Sequence, residues 1–144
     1  MAALFDHEKL KAYQMALRFV AWASPLIENL PSKLSARDQL DRASTSIALN
    51  LAEGNGKRSY PDRCRYFDIA RGSTVECAAC LDVLVAKEKL SIGEAETGKA
   101  ILLEVVAMTA GLIARFSTAP RPNHVEEEQT RYGGEYLIDS EDNE

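Results

Sequence analysis

Apolar side chains recur every three or four positions along most of the chain, with interruptions at Leu30-Pro31-Ser32, at Gly54 to Arg58 and just before Ser91. Spacing of this kind predicts helices joined by short connections. The first, roughly residues 6–29, carries two apolar lines: Leu10, Tyr13, Leu17, Val20 and Ile27, then Phe19, Trp22 and Leu26. Pro25 is expected to bend it, because an interior proline removes a backbone donor. Ser35, with Asp38 three positions on, is expected to cap a second helix whose buried face is Leu40, Ala43, Ile47, Asn50 and Leu51. Gly54 is its expected terminus and Asn55-Gly56 a turn.

Ser59 restarts the chain as a third helix to about Lys89, with Pro61 and Asp62 favourable in its first turn. Cys64, Phe67, Cys77, Leu81 and Leu84 point inward, and Gly72-Ser73 predicts the close approach of another helix. Ser91 opens a fourth helix with the stripe Leu102, Val105, Thr109, Leu112 and Phe116, widened by Ile101, Val106, Met108 and Ile113. Short links between long helices predict an all-α, antiparallel up-and-down four-helix bundle over residues 1–117. The second apolar faces of the first and fourth helices exceed what one core needs, which predicts a homo-oligomer. From Thr118 the periodicity ends, and residues 118–144 read as a flexible acidic tail.

Composition sharpens this picture in one respect. Of the net charge of −5, residues 118–144 contribute −6 through eight acids and two cations, Arg121 and Arg131, leaving +1 for residues 1–117. The body is thus close to neutral, with a slight basic excess that the whole-chain value conceals. Aromatic residues are only 7%, in keeping with a helical fold. Glu104 interrupts the longest apolar run, Ile101 to Ala114, so no membrane span is expected. Asp6, His7 and Glu8 stand where a secretory leader needs an apolar core, and the expected location is cytoplasmic.

Candidate chemistry is sparse. Cys77-Ala-Ala-Cys80 invites a redox or metal reading, but Cys64, His7 and His124 complete no zinc spacing, and small neighbours suit buried core cysteines. No metal or cofactor is expected. Neither histidine is placed to activate a nucleophile, and Glu53 and Glu76 are expected to pair with Arg42 or Arg71 inside the bundle. The expectation is a protein that is not an enzyme. Asn50, on an apolar face, reads as a polar contact that sets helix register. The turn EGNGKRS lacks the spacing of a nucleotide-binding loop. Its cations, with Arg63 and Arg65, surround the electropositive start of the third helix, where a phosphate could be received. Repeated in an oligomer, such a patch could hold a polyanion.

Residues 41–76, DRASTSIALNLAEGNGKRSYPDRCRYFDIARGSTVE, resemble the signature of the four-helix-bundle family also called 23S rRNA intervening-sequence proteins. Arg42, Ala43, Ser46, Ile47, Asn50, Ala52, Glu53, Gly54, Gly56, Ser59, Phe67, Ala70, Gly72, Ser73 and Glu76 fall on its recurring positions. With its flanking helices the resemblance covers residues 4 to about 117. It implies a homopentameric ring of four-helix protomers. It also implies kinship with accessory factors of diversity-generating retroelements, which bind nucleic acid and partner a reverse transcriptase. On that implication Arg37, Lys57, Arg58, Arg63 and Arg65 would contact phosphates of DNA or RNA. The alternative is a protein-binding scaffold whose docking motif lies around Tyr132 to Ile138.

Overall fold

A computed structural model describes residues 2–117, which form four long helices: α1 (Lys11–Asn29), α2 (Ser35–Gly56), α3 (Tyr60–Ala86) and α4 (Ile92–Ser117). A single 3-10 turn, Asp6–Lys9, precedes them, and there is no strand among the described residues. The expectations for residues 118–144, including the docking motif at 132–138, lie outside the described residues. Each helix packs on two others, α1 on α2 and α4, and α3 on α2 and α4, so the four close around one core. The α2–α3 contact is the most extensive.

The first helix differs from expectation at both its start and its buried face. The chain breaks at Leu10, whose backbone is extended (φ −73°, ψ 120°), and the Glu8 carboxylate accepts the backbone N–H groups of Leu4 and Phe5 at 2.9 and 2.5 Å. The preceding turn is thereby folded toward α2, where Asn55 donates to Asp6 at 2.9 Å. The buried line on α1 is Ala12, Ala16, Phe19 and Ala23, while the larger Leu17 is 43% exposed. An alanine seam lets neighbouring helices approach closely, and the longer side chains flank it. Trp22 lies against Gly98 of α4, where an added Cβ would come within 2.5 Å of the indole. That glycine is a close-packing position the spacing alone did not indicate.

Two expected caps are also corrected. Ser35 is the first residue of α2 and makes no side-chain cap; Leu34 precedes it in extended conformation. Gly54 is not a terminus but a buried residue inside α2, and the helix runs on through Asn55 and Gly56. It is glycine because a Cβ there would stand 2.8 Å from the Phe67 ring and 3.1 Å from the Arg63 carbonyl. From Gly54 against Phe67, the α2–α3 contact continues through Ser46 against Ser73 to Ala36 beside Cys80. Gly72 faces open space, so the close approach expected at Gly72-Ser73 is made by Ser73 alone. Its hydroxyl lies 2.9 Å from that of Ser46, which in turn accepts from Asn50 Nδ2 at 3.0 Å. Asn50 is half-buried, and its Nδ2 bonds only within α2, to the Ser46 carbonyl and hydroxyl, so the register-setting contact expected of it reaches α3 only through Ser46.

Helix α3 stops at Ala86, three residues before the expected end. Lys89 N–H donates to the Leu84 carbonyl and Glu88 N–H to that of Val85, both at 2.9 Å, a closing pattern that requires a left-handed residue. Glu88 takes it, at φ 59°. Ser91 then caps α4 as expected, accepting the Glu94 N–H at 3.1 Å and donating to the Glu94 carboxylate at 3.0 Å.

On α4, Leu102, Val105, Thr109 and Ile113 are buried, and Leu112 and Phe116 half-buried. Taken as a whole, this helix is long and apolar enough to cross a membrane, since Glu104 is too little charge to offset its aliphatic content, and 22% of its most apolar stretch is buried. Leu103 is 70% exposed. It lines an open groove of about 490 Å³ with Val75 and Ala78 of α3, flanked by Arg71 and Lys99. The unpartnered apolar surface therefore lies on α4, as expected, and on α3 more than on α1, the other helix expected to carry it.

Candidate functional site

The chain leaves α2 at Lys57 in extended conformation (φ −74°, ψ 146°) and enters α3 at Ser59 in another (φ −85°, ψ 145°). No glycine here has a positive φ. Ser59 Oγ accepts the Asp62 N–H at 3.2 Å, and Pro61 has no N–H to offer. Of the four donors that a helix start leaves unpaired, only the amides of Ser59 and Tyr60 remain. The helix start is therefore a smaller anion site than expected, and side chains supply most of the positive charge.

Those side chains are held in place by rings and carbonyls. Arg63 Nε donates to the Lys57 carbonyl at 2.8 Å, which satisfies the end of α2 and fixes the guanidinium across the connection. The same guanidinium lies 4.9 Å from the Phe116 ring centre and 5.8 Å from that of Tyr60. Tyr60 and Phe116 meet edge to face at 5.0 Å, and Arg115 covers Phe116 at 5.2 Å. A second group forms around Tyr66, with the Lys57 ammonium at 4.9 Å and the Arg65 guanidinium at 5.4 Å. Lys57 also pairs with Glu53, and Arg65 with Asp62, each at 3.5 Å. A ring quadrupole orients a cation without neutralising it, so these contacts lower the entropy cost of binding an anion while leaving the charge available. Arg58 is exposed and has no hydrogen bond or ion pair among the described residues.

Of the five cations expected to contact phosphate, Lys57, Arg58, Arg63 and Arg65 gather at this end of the bundle. Arg37 does not. It stands twenty residues earlier on α2, about 30 Å along the axis at 1.5 Å per residue. There its Nε donates to the Ile27 carbonyl at 2.9 Å, tying α2 to the end of α1. Arg115 is the cation that sequence reasoning missed. Its place in the last turn of α4 is the available signal, since that turn closes over Tyr60 and Phe67 through Phe116.

The other candidate chemistry disperses. Glu53 is exposed and pairs with Lys57, and Glu76 is exposed beside Gln39 and Cys80, so neither forms the internal arginine pair expected of it. His7 stacks on Phe5 at 5.8 Å and meets Tyr13 edge to face at 4.8 Å. Among the described residues no group of three His, Cys, Asp or Glu side chains could hold a metal ion. Cys64, Cys77 and Cys80 are buried and form no disulfide.

Burial, with Cys80 and Glu76 nearby, pushes the Cys77 thiol from an ordinary value near 9.0 to about 12. It stays protonated in the fold at pH values where an unfolded chain ionises it, so its contribution to stability is constant below about 9.0 and falls as pH rises toward 12. Folded protein at pH 8 is accordingly expected to react with iodoacetamide at Cys77 at least about tenfold more slowly than urea-unfolded protein. Mass mapping of the alkylated peptide checks this; equal rates would contradict the buried position.

A family model described as 23S rRNA-intervening sequence protein matches residues 8–111. No curated protein matches the chain. One similar solved structure is that of a protein with unknown function from the S23 ribosomal protein family of Bacteroides thetaiotaomicron VPI-5482. It superposes with a TM-score of 0.67 at 21% identity, over 71% of this chain and 94% of that one. At that identity the likeness concerns the fold.

Proposed function

Because the chain belongs to the 23S rRNA-intervening sequence protein family, we propose that it is a non-enzymatic, oligomeric protein that binds nucleic acid through the α2–α3 end of its bundle. The observation that carries this reading is the convergence there of Lys57, Arg58, Arg63, Arg65 and Arg115, four of them lying over Tyr60, Tyr66 or Phe116 and one, Arg58, with no partner among the described residues. Phosphates would meet cations already oriented, and exposed Tyr60 offers a ring edge beside them. One protomer presents too few charges for tight binding, since Glu53, Asp62 and Asp6 lie at the same end.

Assembly supplies the rest. We take the protomer as an antiparallel up-and-down bundle and the assembly as a homopentameric ring. The apolar groove between α3 and α4, with Val75 and Leu103 exposed, supports burial against a second copy, and this reading assigns α4 to a subunit interface rather than to a membrane. Three buried cysteines in no disulfide fit a reducing, cytoplasmic setting. An accessory role beside a reverse transcriptase is the narrowest form of the proposal and rests on family resemblance. A protein-binding scaffold without nucleic acid is the competing reading.

The test is fluorescence anisotropy of labelled single- and double-stranded DNA and RNA at two salt concentrations, with the full chain and with residues 1–117. Affinity is expected to fall with log salt at a slope of roughly 0.7–0.9 per phosphate contact. Absence of binding by both proteins at about 50 mM salt overturns the reading and leaves the scaffold.

A further inference from the structure

Helix α4 ends beside the basic cluster. Ser117 adjoins Phe116, whose ring lies 4.9 Å from the Arg63 guanidinium and 5.2 Å from that of Arg115. Residues 118–144 carry a net charge of −6, and their first acids, Glu126, Glu127 and Glu128, are consecutive. We propose that this segment is a tethered competitor for the basic surface, docking through Glu126–Glu128 on Arg58, Arg63 and Arg115 and yielding to a stronger polyanion. The proposal rests on the polyanion reading of the same site and adds its regulation.

Length and charge both favour this occupant. Glu126 stands nine positions beyond Ser117. Nine residues reach at most about 30 Å, enough for the triplet to meet the cluster beside Phe116. Tethering sets an effective concentration in the millimolar range, enough to occupy a site whose intrinsic affinity for a short acidic segment is weak. Lys57 and Arg65 are engaged by Glu53 and Asp62, whereas Arg58 has no acid among the described residues. The charge left unanswered on the bundle is thus beside the point from which the acidic segment departs. A nucleic acid presents a phosphate at every residue of its backbone, and in an assembly it would reach several clusters at once, so it displaces the triplet.

Two titrations test this. The full chain and the variant Glu126→Gln, Glu127→Gln, Glu128→Gln are each titrated into a short labelled single-stranded DNA at low salt. The variant is expected to bind about tenfold more tightly, and the gap to close as salt rises, because competitor and ligand are both screened. Equal affinities at low salt overturn the proposal and leave the polyanion reading intact. In the second titration a fluorescein-labelled peptide of residues 118–144 meets the full-length Glu126→Gln, Glu127→Gln, Glu128→Gln variant, whose own triplet no longer competes. Saturable binding that is lost with Arg58→Glu and Arg115→Glu supports docking, and no binding overturns it. Peptide binding without DNA binding by either chain would sink the polyanion reading alone, so the two failures are distinguishable.

Discussion

Phe67→Ala is expected to destabilise the bundle by about 3–5 kcal/mol, the largest effect of any single truncation in the core. Phe67 is fully buried, 6.0 Å from the Phe116 ring, and fills the space that Gly54 leaves on α2. Its removal leaves a cavity beside a residue with no side chain to relax into it, so collapse can recover little of the loss. The complementary substitution gives the sharper test. Gly54→Ala alone gains up to about 1 kcal/mol of helix propensity but drives a Cβ into Phe67, and overpacking of this kind costs roughly 1–3 kcal/mol. In the Phe67→Ala background most of that conflict is gone, and Gly54→Ala is expected to become neutral or stabilising. Urea melts of the four proteins at one protein concentration measure the coupling. Equal costs in both backgrounds would mean that the backbone contact with the Arg63 carbonyl, not the ring, keeps position 54 glycine.

Arg58→Glu should weaken nucleic-acid binding by about tenfold or more at low salt and flatten the salt dependence by about one phosphate contact. The bundle itself should be unaffected to within about 0.5 kcal/mol, because an exposed residue with no described partner removes nothing when it changes. Arg37→Glu is the contrasting variant. It loses the bond to the Ile27 carbonyl and should lower stability by roughly 1–3 kcal/mol, yet leave the salt slope untouched. Anisotropy titrations paired with urea melts read both effects. If the two variants weakened binding alike, the surface would extend along α2 and the cluster would lose its special standing.

These two arginines also show where the sequence could and could not be read. Helix number, order and approximate extent came from the three-and-four spacing, and Ser59 and Ser91 announced the starts of α3 and α4 because a cap is a local device. Arg37 and Arg58 look alike in sequence. Only the pairing of Arg37 with the end of α1 separates them, and that is a tertiary fact. Arg115 was marked only by its place in the last turn of α4, and nothing near it in sequence says that this turn closes over Tyr60. The alanine seam on α1 was missed because a periodicity weighted by large side chains assigns little to Ala12, Ala16 and Ala23. Gly54 and Gly98 announce themselves as breakers when read locally, yet each admits an aromatic ring from a neighbouring helix.

The 3-10 turn at Asp6–Lys9 and the residue Ser117 both lie beside the α2–α3 connection, Asp6 through Asn55 and Ser117 through its neighbour Phe116. An affinity handle fused before residue 1 or directly after Ser117 would consequently hang over the basic surface, and a polyhistidine or acidic handle would alter the very electrostatics under study. The connections at 30–34 and 87–91 lie near the far ends of α2 and α3, away from Lys57 and Arg58. A fluorophore or a surface anchor for sensor work belongs there, where it can report on the bundle without shading it.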